Sequence, residues 1–188
     1  MLEAIEAVAK GLNNTNIKWA IVGGARLIAL GSLRMTEDVD FVVYLLVELI
    51  AAKNELQKDT RFSIDLRTRH TTFTSSSGCA VEIEALSSPR TFKGHFDDTT
   101  LLITVLEGVH LLNAPLYLES KCGSLPGRGN NKKRNTDATD IRYILNFIIQ
   151  SNIHTDSSKV PSATPDFIAG FEIMQPGATK LFHQVGLA

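Results

Sequence analysis

Two aspartates one residue apart, Asp38 and Asp40, head the apolar run Phe41-Val42-Val43, and no other short stretch of this chain constrains its architecture as much. In a strand, residues two apart share a face, so the pair presents two carboxylates side by side. Neighbouring like charges do nothing for a sheet, and a hard divalent cation is the natural reason for them, since such ions take oxygen ligands from closely placed carboxylates. Upstream, Trp19-Ala20-Ile21-Val22 reads as a buried strand that stops at Gly23-Gly24. A short helix over Ala25 to Leu30 ends near Gly31, and Arg34 and Thr36 lead into the aspartates.

The remaining periodicity places elements on both sides of this stretch. Leu2, Ile5, Val8, Ala9 and Leu12 stand at helical spacing, and Leu45, Leu49, Ala52 and Leu56 form a second helical stripe. Phe62 to Phe73 is rich in β-formers and fits one or two short strands, followed by a turn at Ser75-Ser76-Ser77-Gly78. Cys79 to Leu86 is a cleaner strand, with Val81 and Ile83 facing one way and Glu82 and Glu84 the other. Leu101–Val105 and Val109–Leu112 predict a hairpin around Glu107-Gly108. Pro115 to Cys122 opens a helix, Gly123 to Arg134 is a basic, glycine-rich loop, and Thr136 to Gln150 is a helix with Ile141, Ile144, Leu145, Ile148 and Ile149 on its apolar face. Beyond Ser151 the composition turns to Ser, Thr and Pro with isolated anchors such as Phe167, Phe171 and Phe182, which reads as a surface tail with one short helix.

Bulk properties narrow the class. With 188 residues the chain is long enough for one full core. A net charge of −1 argues against a dedicated nucleic-acid binder. The longest apolar-rich piece, Phe41 to Ala52, is too short to span a bilayer and is broken by Glu48. The first residues carry acids and lack a basic-then-apolar leader, so a signal peptide is not expected. Cys79 and Cys122 fit no metal spacing; reduced thiols and a cytoplasmic setting follow, with Cys79 as a small core residue. His70, His95, His110, His154 and His183 are scattered without ligand spacing and receive no role.

The order Gly23-Gly24, then Asp38-Val39-Asp40, then an acidic strand resembles the nucleotidyltransferase superfamily of the DNA polymerase β type. Its small-molecule and toxin-type branch often reads GGxA…G…R-x-T-x-DxD, which Gly23-Gly24-Ala25, Gly31, Arg34, Thr36, Asp38 and Asp40 match. A downstream lysine helix, a basic loop and an aspartate-rich helix start complete the pattern in Lys121, Arg128, Lys132 or Lys133, Asp137 and Asp140, so the likeness covers about residues 18 to 150.

The resemblance implies an α/β (α+β) fold: a small mixed sheet with helices packed mainly on one face, and a C-terminal helical portion. It implies a core over residues 1–112, a helical portion over 113–150 that completes the site, and a tail over 151–188. The implied activity moves a nucleoside monophosphate from an NTP, ATP among them, to a hydroxyl on a small molecule, protein or RNA. Magnesium, or manganese in its place, would be held by Asp38, Asp40 and Glu82, with Glu84 as second choice for the third acid. Gly23, Gly24, Arg34, Thr36, Lys121, Arg128 and Lys132 would bind the nucleotide. The family more often has aspartate at the third position, and the longer glutamate displaces a ligand by about one carbon–carbon bond where productive geometry tolerates ~0.5 Å. The alternative is therefore a domain of this type that has lost catalysis and serves as a binding or regulatory module. An acceptor-binding domain is missing from the pattern, which leaves acceptor choice to a partner or a second copy of the chain.

Bland alternatives stand beside these. Gly23-Gly24 alone reads as a turn. Glu82 and Glu84 fit the solvated face of an edge strand. Arg34 fits a structural carboxylate pair as well as a substrate contact. Lys132, Lys133 and Arg134 fit a solvated loop, and Asp137 and Asp140 fit simple helix-dipole stabilisation.

Overall fold

The computed structural model describes residues 1–92, 94–105 and 108–187. The chain divides into two compact units, Met1–Leu112 and Asn113–Ala188.

In the first unit, α1 (Leu2–Leu12) leads into β1 (Trp19–Ile21), α2 (Gly23–Ala29), β2 (Asp38–Val43), α3 (Leu46–Leu56), β3 (Phe62–Ile64), β4 (Thr71–Thr74), β5 (Ala80–Ser87), β6 (Leu102–Val105) and β7 (Val109–Leu112). The strands form one sheet in the order β3-β4-β5-β2-β1-β7-β6. It is mixed: β2 runs parallel to β5 and β1 parallel to β7, while the remaining neighbours are antiparallel. This is the mixed α/β architecture that the resemblance implies.

The core lies on one face of that sheet. Val39, Phe41 and Val43 of β2 and Val81 and Ile83 of β5 are buried with Ile5, Val8 and Leu12 of α1 and Ala52 and Leu56 of α3. Because side chains alternate along a strand, burying Val39 and Phe41 forces Asp38 and Asp40 onto the opposite face. A one-residue slip of β2 would bury both aspartates, so its register is strongly specified. The strand β5 sits inside the sheet, between β4 and β2, so Glu82 and Glu84 are not on an edge strand. The helix α2 ends at Gly31, whose φ of +87° suits glycine. There the Ser32 N–H donates to Leu27 O and the Gly31 N–H to Ile28 O, a Schellman termination. In the β6–β7 hairpin Gly108 is left-handed, and Glu107 lies outside the described residues.

The second unit holds α4 (Ala114–Ser124), α5 (Asn131–Gln150), α6 (Pro165–Met174) and α7 (Ala178–Gln184). The helix α5 starts at Asn131 rather than near Thr136, because the Asn130 side chain accepts from the Lys132 and Lys133 N–H groups at 2.8 and 3.3 Å and caps it. Lys132, Lys133 and Arg134 therefore occupy the first turn of a helix instead of a loop. Of the expected stripe, Ile141, Ile144, Leu145 and Ile148 are buried and Ile149 is half-buried. The segment after Ser151 is more structured than its composition suggests. It carries two helices, and Phe171 of α6 packs edge-on against Phe182 of α7 with ring centroids 5.7 Å apart, both fully buried.

Cys79 is not the core residue that was expected. Cys79 is exposed beside the Ser75–Cys79 turn, where its N–H donates to Ser75 Oγ, and Cys122 is the buried one. Among the described residues no helix is long and apolar enough to cross a membrane.

Candidate functional site

The stretch from β1 to β2 folds back so that each glycine of the pair meets a different partner. The Val22 N–H donates to Asp40 O at 2.9 Å and brings the end of β1 level with the acids. Gly23 follows with a φ of +60°, and a Cβ there would lie 1.9 Å from Asp40 Oδ2. At Gly24 a Cβ would lie 1.7 Å from Arg34 Nη1 and 2.9 Å from Thr36 Oγ1. Thr36 Oγ1 in turn donates to Asp38 Oδ1 at 2.6 Å. The pair is thus more than a plain turn: Gly23 makes room for the Asp40 carboxylate, and Gly24 makes room for Arg34 and Thr36, which reach Asp38.

The approach to β2 explains why these side chains converge. Leu33 and Met35 are 99% and 92% exposed, while Arg34, Thr36 and Asp38 are half-buried. That alternation is the period of extended chain, which sends every second side chain inward. Asp38 and Asp40 then face the same way, and the parallel register with β5 sets Asp38 beside Glu82 and Asp40 beside Glu84. Four carboxylates share one sheet face, on strands about 4.8 Å apart.

The two glutamates have different neighbours. Glu82 Oε1 lies 3.0 Å from His70 Nδ1. Glu84 lies within electrostatic reach of Lys53 on α3, whose pKa is lowered by burial and by the Arg69 charge and partly restored by Glu84. Sequence reasoning gave His70 no role, and a histidine without a ligand-spaced partner offers no local signal. It also passed over Arg26, which is fully buried on α2 and donates through Nε to Leu112 O at 2.8 Å, tying that helix to β7. A single charge inside the otherwise apolar piece Ala25 to Leu30 was the available clue.

In the second unit the basic and acidic candidates are consumed by one another. Lys121 Nζ of α4 donates to Asp137 Oδ1 at 2.6 Å and to Asp140 Oδ2 at 2.8 Å, and Arg128 Nε donates to Asp137 Oδ2 at 2.6 Å. Lys121, Asp137 and Asp140 are all buried, and the Lys121 ammonium also stands 5.6 Å from the Tyr117 ring centroid. Asp137 and Asp140 therefore answer a buried lysine rather than a helix dipole, and they lie beyond the first turn of α5. Lys132 is exposed on that first turn.

Metal binding can be tested against the donor set. Among the described residues no three His, Cys, Asp or Glu side chains stand together as a ready-made ligand group. Magnesium does not require one, because it is usually held by one or two carboxylates together with waters and substrate phosphates. Asp38 and Asp40, paired on one face with hard oxygen donors and seated against Gly23 and Thr36, fit that chemistry.

Gly23→Ala tests how far the seat depends on glycine. A non-glycine residue held in the left-handed region costs about 1–3 kcal/mol, and the added methyl collides with a short side chain that has little room to retreat. The expected result is a loss of unfolding free energy of that size, read as a lower urea midpoint, and displacement of the Asp40 carboxylate. An unchanged midpoint would show that Asp40 is not seated on Gly23.

No family model matches the chain, and no curated protein matches it in sequence. Solved structures do resemble it. The crystal structure of an antigenic nucleotidyltransferase-like protein from Paracoccidioides brasiliensis is similar over 98% of this chain and 93% of its own, with a TM-score of 0.71 and 19% identity. Weaker likenesses are to the solution structure of the antibiotic-resistance factor ANT(2'')-Ia (TM-score 0.48, 12% identity, 95% of both chains) and to a STING-associated CdnE c-di-GMP synthase from Capnocytophaga granulosa (TM-score 0.35, 11% identity, 98% of this chain and 80% of that one). The first of these shows the fold: this chain shares the fold of that nucleotidyltransferase-like protein.

Proposed function

We propose that this protein transfers a nucleoside monophosphate from an NTP to a hydroxyl acceptor in a reaction that depends on magnesium or manganese. The observation that supports this reading most is the seating of Asp38 and Asp40 together on one strand face, each fixed by a different glycine-lined contact. Their like charges oppose folding, and the surrounding contacts hold them in place nonetheless. On this reading Asp38 and Asp40 hold the cation and Glu82, beside Asp38, is the third acid. Bound there, the cation would neutralise phosphate oxygens and make the acceptor hydroxyl a better nucleophile. Thr36 orients the Asp38 carboxylate through its hydroxyl. Arg34, packed on Gly24, adds a guanidinium suited to a phosphate oxygen. Gly23 and Gly24 serve by letting these groups lie against the backbone.

In the second unit, taken by itself, the cations differ in what they already face. Lys121 already faces two carboxylates, so its charge is balanced inside the fold. Among the described residues Arg128 pairs through Nε with Asp137 and is 39% exposed at its side chain, which makes it and exposed Lys132 better suited to an anionic ligand than Lys121.

A second reading, a nucleotide-binding module without catalysis, is favoured by the absence of a gathered three-acid group among the described residues. Calorimetric titration with each of the four NTPs and magnesium, alongside a coupled pyrophosphate assay over a broad panel of hydroxyl acceptors, separates the two. Binding with pyrophosphate release is the expected result. Binding without release across the panel would favour the module, and no binding of any NTP would sink both.

A further inference from the structure

We infer that the second unit carries a site for a small molecule built as one aromatic ring bearing a carboxylate, with Gly170 keeping room for the ring and Arg134 meeting the carboxylate. The inference goes beyond the nucleotide reading and does not depend on it.

The helix α6 does not close completely on the rest of its unit. Phe167, Phe171 and Met174 leave an open cavity of about 160 Å³ against Leu125 and Pro126 of the 3₁₀ turn Leu125–Gly127. Gly170 and two exposed charged residues, Arg134 and Asp166, complete its lining. An apolar cavity of ~150 Å³ holds one benzene ring. This volume therefore suits a single six-membered ring and is small for a fused pair.

The fold by itself gives no reason for glycine at position 170. Gly170 stands inside α6, where glycine is less favourable than alanine because it loses more backbone freedom. Its φ is not positive, and a Cβ there would meet nothing within 4 Å. Neither backbone conformation nor close packing calls for glycine. Its effect is to leave that part of the cavity wall bare.

The two charged residues differ in what they already do. Asp166 lies in the first turn of α6, where the helix dipole favours an acid. Arg134 lies in the first turn of α5, where the dipole disfavours a cation and no acid stands in the same turn to offset it. Among the described residues the ion pairs of this unit run through Lys121, Arg128, His154 and Lys159, and none reaches Arg134. A guanidinium is always charged, and its planar fork of donors matches a carboxylate. A ring in the cavity with its carboxylate at Arg134 covers the exposed apolar surface and neutralises the cation at the positive end of α5.

The test is fluorine NMR of para-fluorobenzoate added to the full chain, with a urea midpoint measured for every variant. Saturable binding to the wild type is expected. Gly170→Leu should abolish it and raise the midpoint, because leucine fills the bare wall and suits a helix. Gly170→Ala, a smaller step in the same direction, should weaken binding and also raise the midpoint, which separates lost binding from lost fold. Arg134→Gln should weaken the benzoate about tenfold, as expected for one charge-assisted hydrogen bond at an exposed site. The same variant should leave binding of the neutral para-fluorobenzyl alcohol unchanged. No saturable binding to the wild type would overturn the inference, as would unchanged binding in both Gly170 variants. Equal weakening of acid and alcohol by Arg134→Gln would overturn the role of Arg134. Tighter binding of para-fluorobenzylammonium than of the benzoate would overturn it as well, by giving the charged contact to Asp166.

Discussion

Asp38→Ala and Asp40→Ala should each reduce nucleotidyl transfer by on the order of 10³-fold or more while leaving the fold as stable as before, within about 1 kcal/mol. Removing one preorganised electrostatic group from an active site commonly costs 10²–10³-fold, and a carboxylate that holds the cation belongs at or beyond the upper end of that range. A thousand-fold loss corresponds to about 4 kcal/mol of transition-state stabilisation. Stability should respond differently. Four carboxylates share this sheet face, and like charges on neighbouring positions repel. Deleting one relieves repulsion, and in Asp38→Ala this offsets the hydrogen bond lost from Thr36. Activity and stability therefore separate, as they do where a fold carries strain for function. Pyrophosphate release under saturating NTP, measured beside urea denaturation, checks both halves. Unchanged turnover would remove these residues from the mechanism, and a collapse in stability would show that they are structural.

The second large effect concerns Lys121. Replacement by methionine leaves Asp137 and Asp140 buried beside an apolar side chain, and breaking a buried ion pair from one side destabilises by about 3–5 kcal/mol. Removing the charges together should do far less damage: Lys121→Met with Asp137→Asn and Asp140→Asn should regain most of the loss, because no uncompensated charge remains. The pH dependence follows from the same contacts. Burial pushes the Asp137 carboxyl up, but the charge and hydrogen bond of Lys121 and the contact with Arg128 outweigh it, and its pKa lies below the ordinary 3.8. A depressed acid stabilises the fold above its ordinary pKa, and that contribution is lost as the pH falls below 3.8. Burial works against the Lys121 ammonium, and Tyr117, Asp140 and Asp137 outweigh it, so its pKa is raised above the ordinary 10.5. A raised base stabilises below its ordinary pKa and loses that contribution only as the pH climbs beyond it. Stability from this network should be flat between 3.8 and 10.5 and fall outside that window in the wild type. Circular dichroism against urea over pH reads the curve. A Lys121→Met variant as stable as wild type would refute the buried-pair account.

Lys121 also illustrates how far a sequence can be read. A helix was expected from Pro115 to Cys122, and the charge of Lys121 suited a phosphate. Its partners lie 16 and 19 residues away on another helix, and no local period reports a contact of that kind. Asp137 and Asp140 were equally ambiguous, because an acid near a helix start satisfies the dipole whether or not a buried lysine lies opposite. The true start of α5 depended on Asn130 acting as cap, one of several polar residues in that loop able to do so. After Ser151 the apolar anchors are too sparse for a helical period, yet Phe171 and Phe182 find each other in the fold.

What the sequence determined by itself was the face on which the acids stand. Alternation along β2 and β5 is a local property: once Val39, Phe41, Val81 and Ile83 are buried, Asp38, Asp40, Glu82 and Glu84 must face the other way. The glycine pair, the arginine and the threonine were legible for the same reason, because they are fixed within one strand–turn–strand stretch. Tertiary structure alone decided which neighbours those acids have. Parallel pairing of β2 with β5 set Glu82 beside Asp38, the β3–β4 connection brought His70 to Glu82, and α3 left Lys53 within electrostatic reach of Glu84. Periodicity specifies a direction away from the backbone, and only packing between distant segments specifies what is met there.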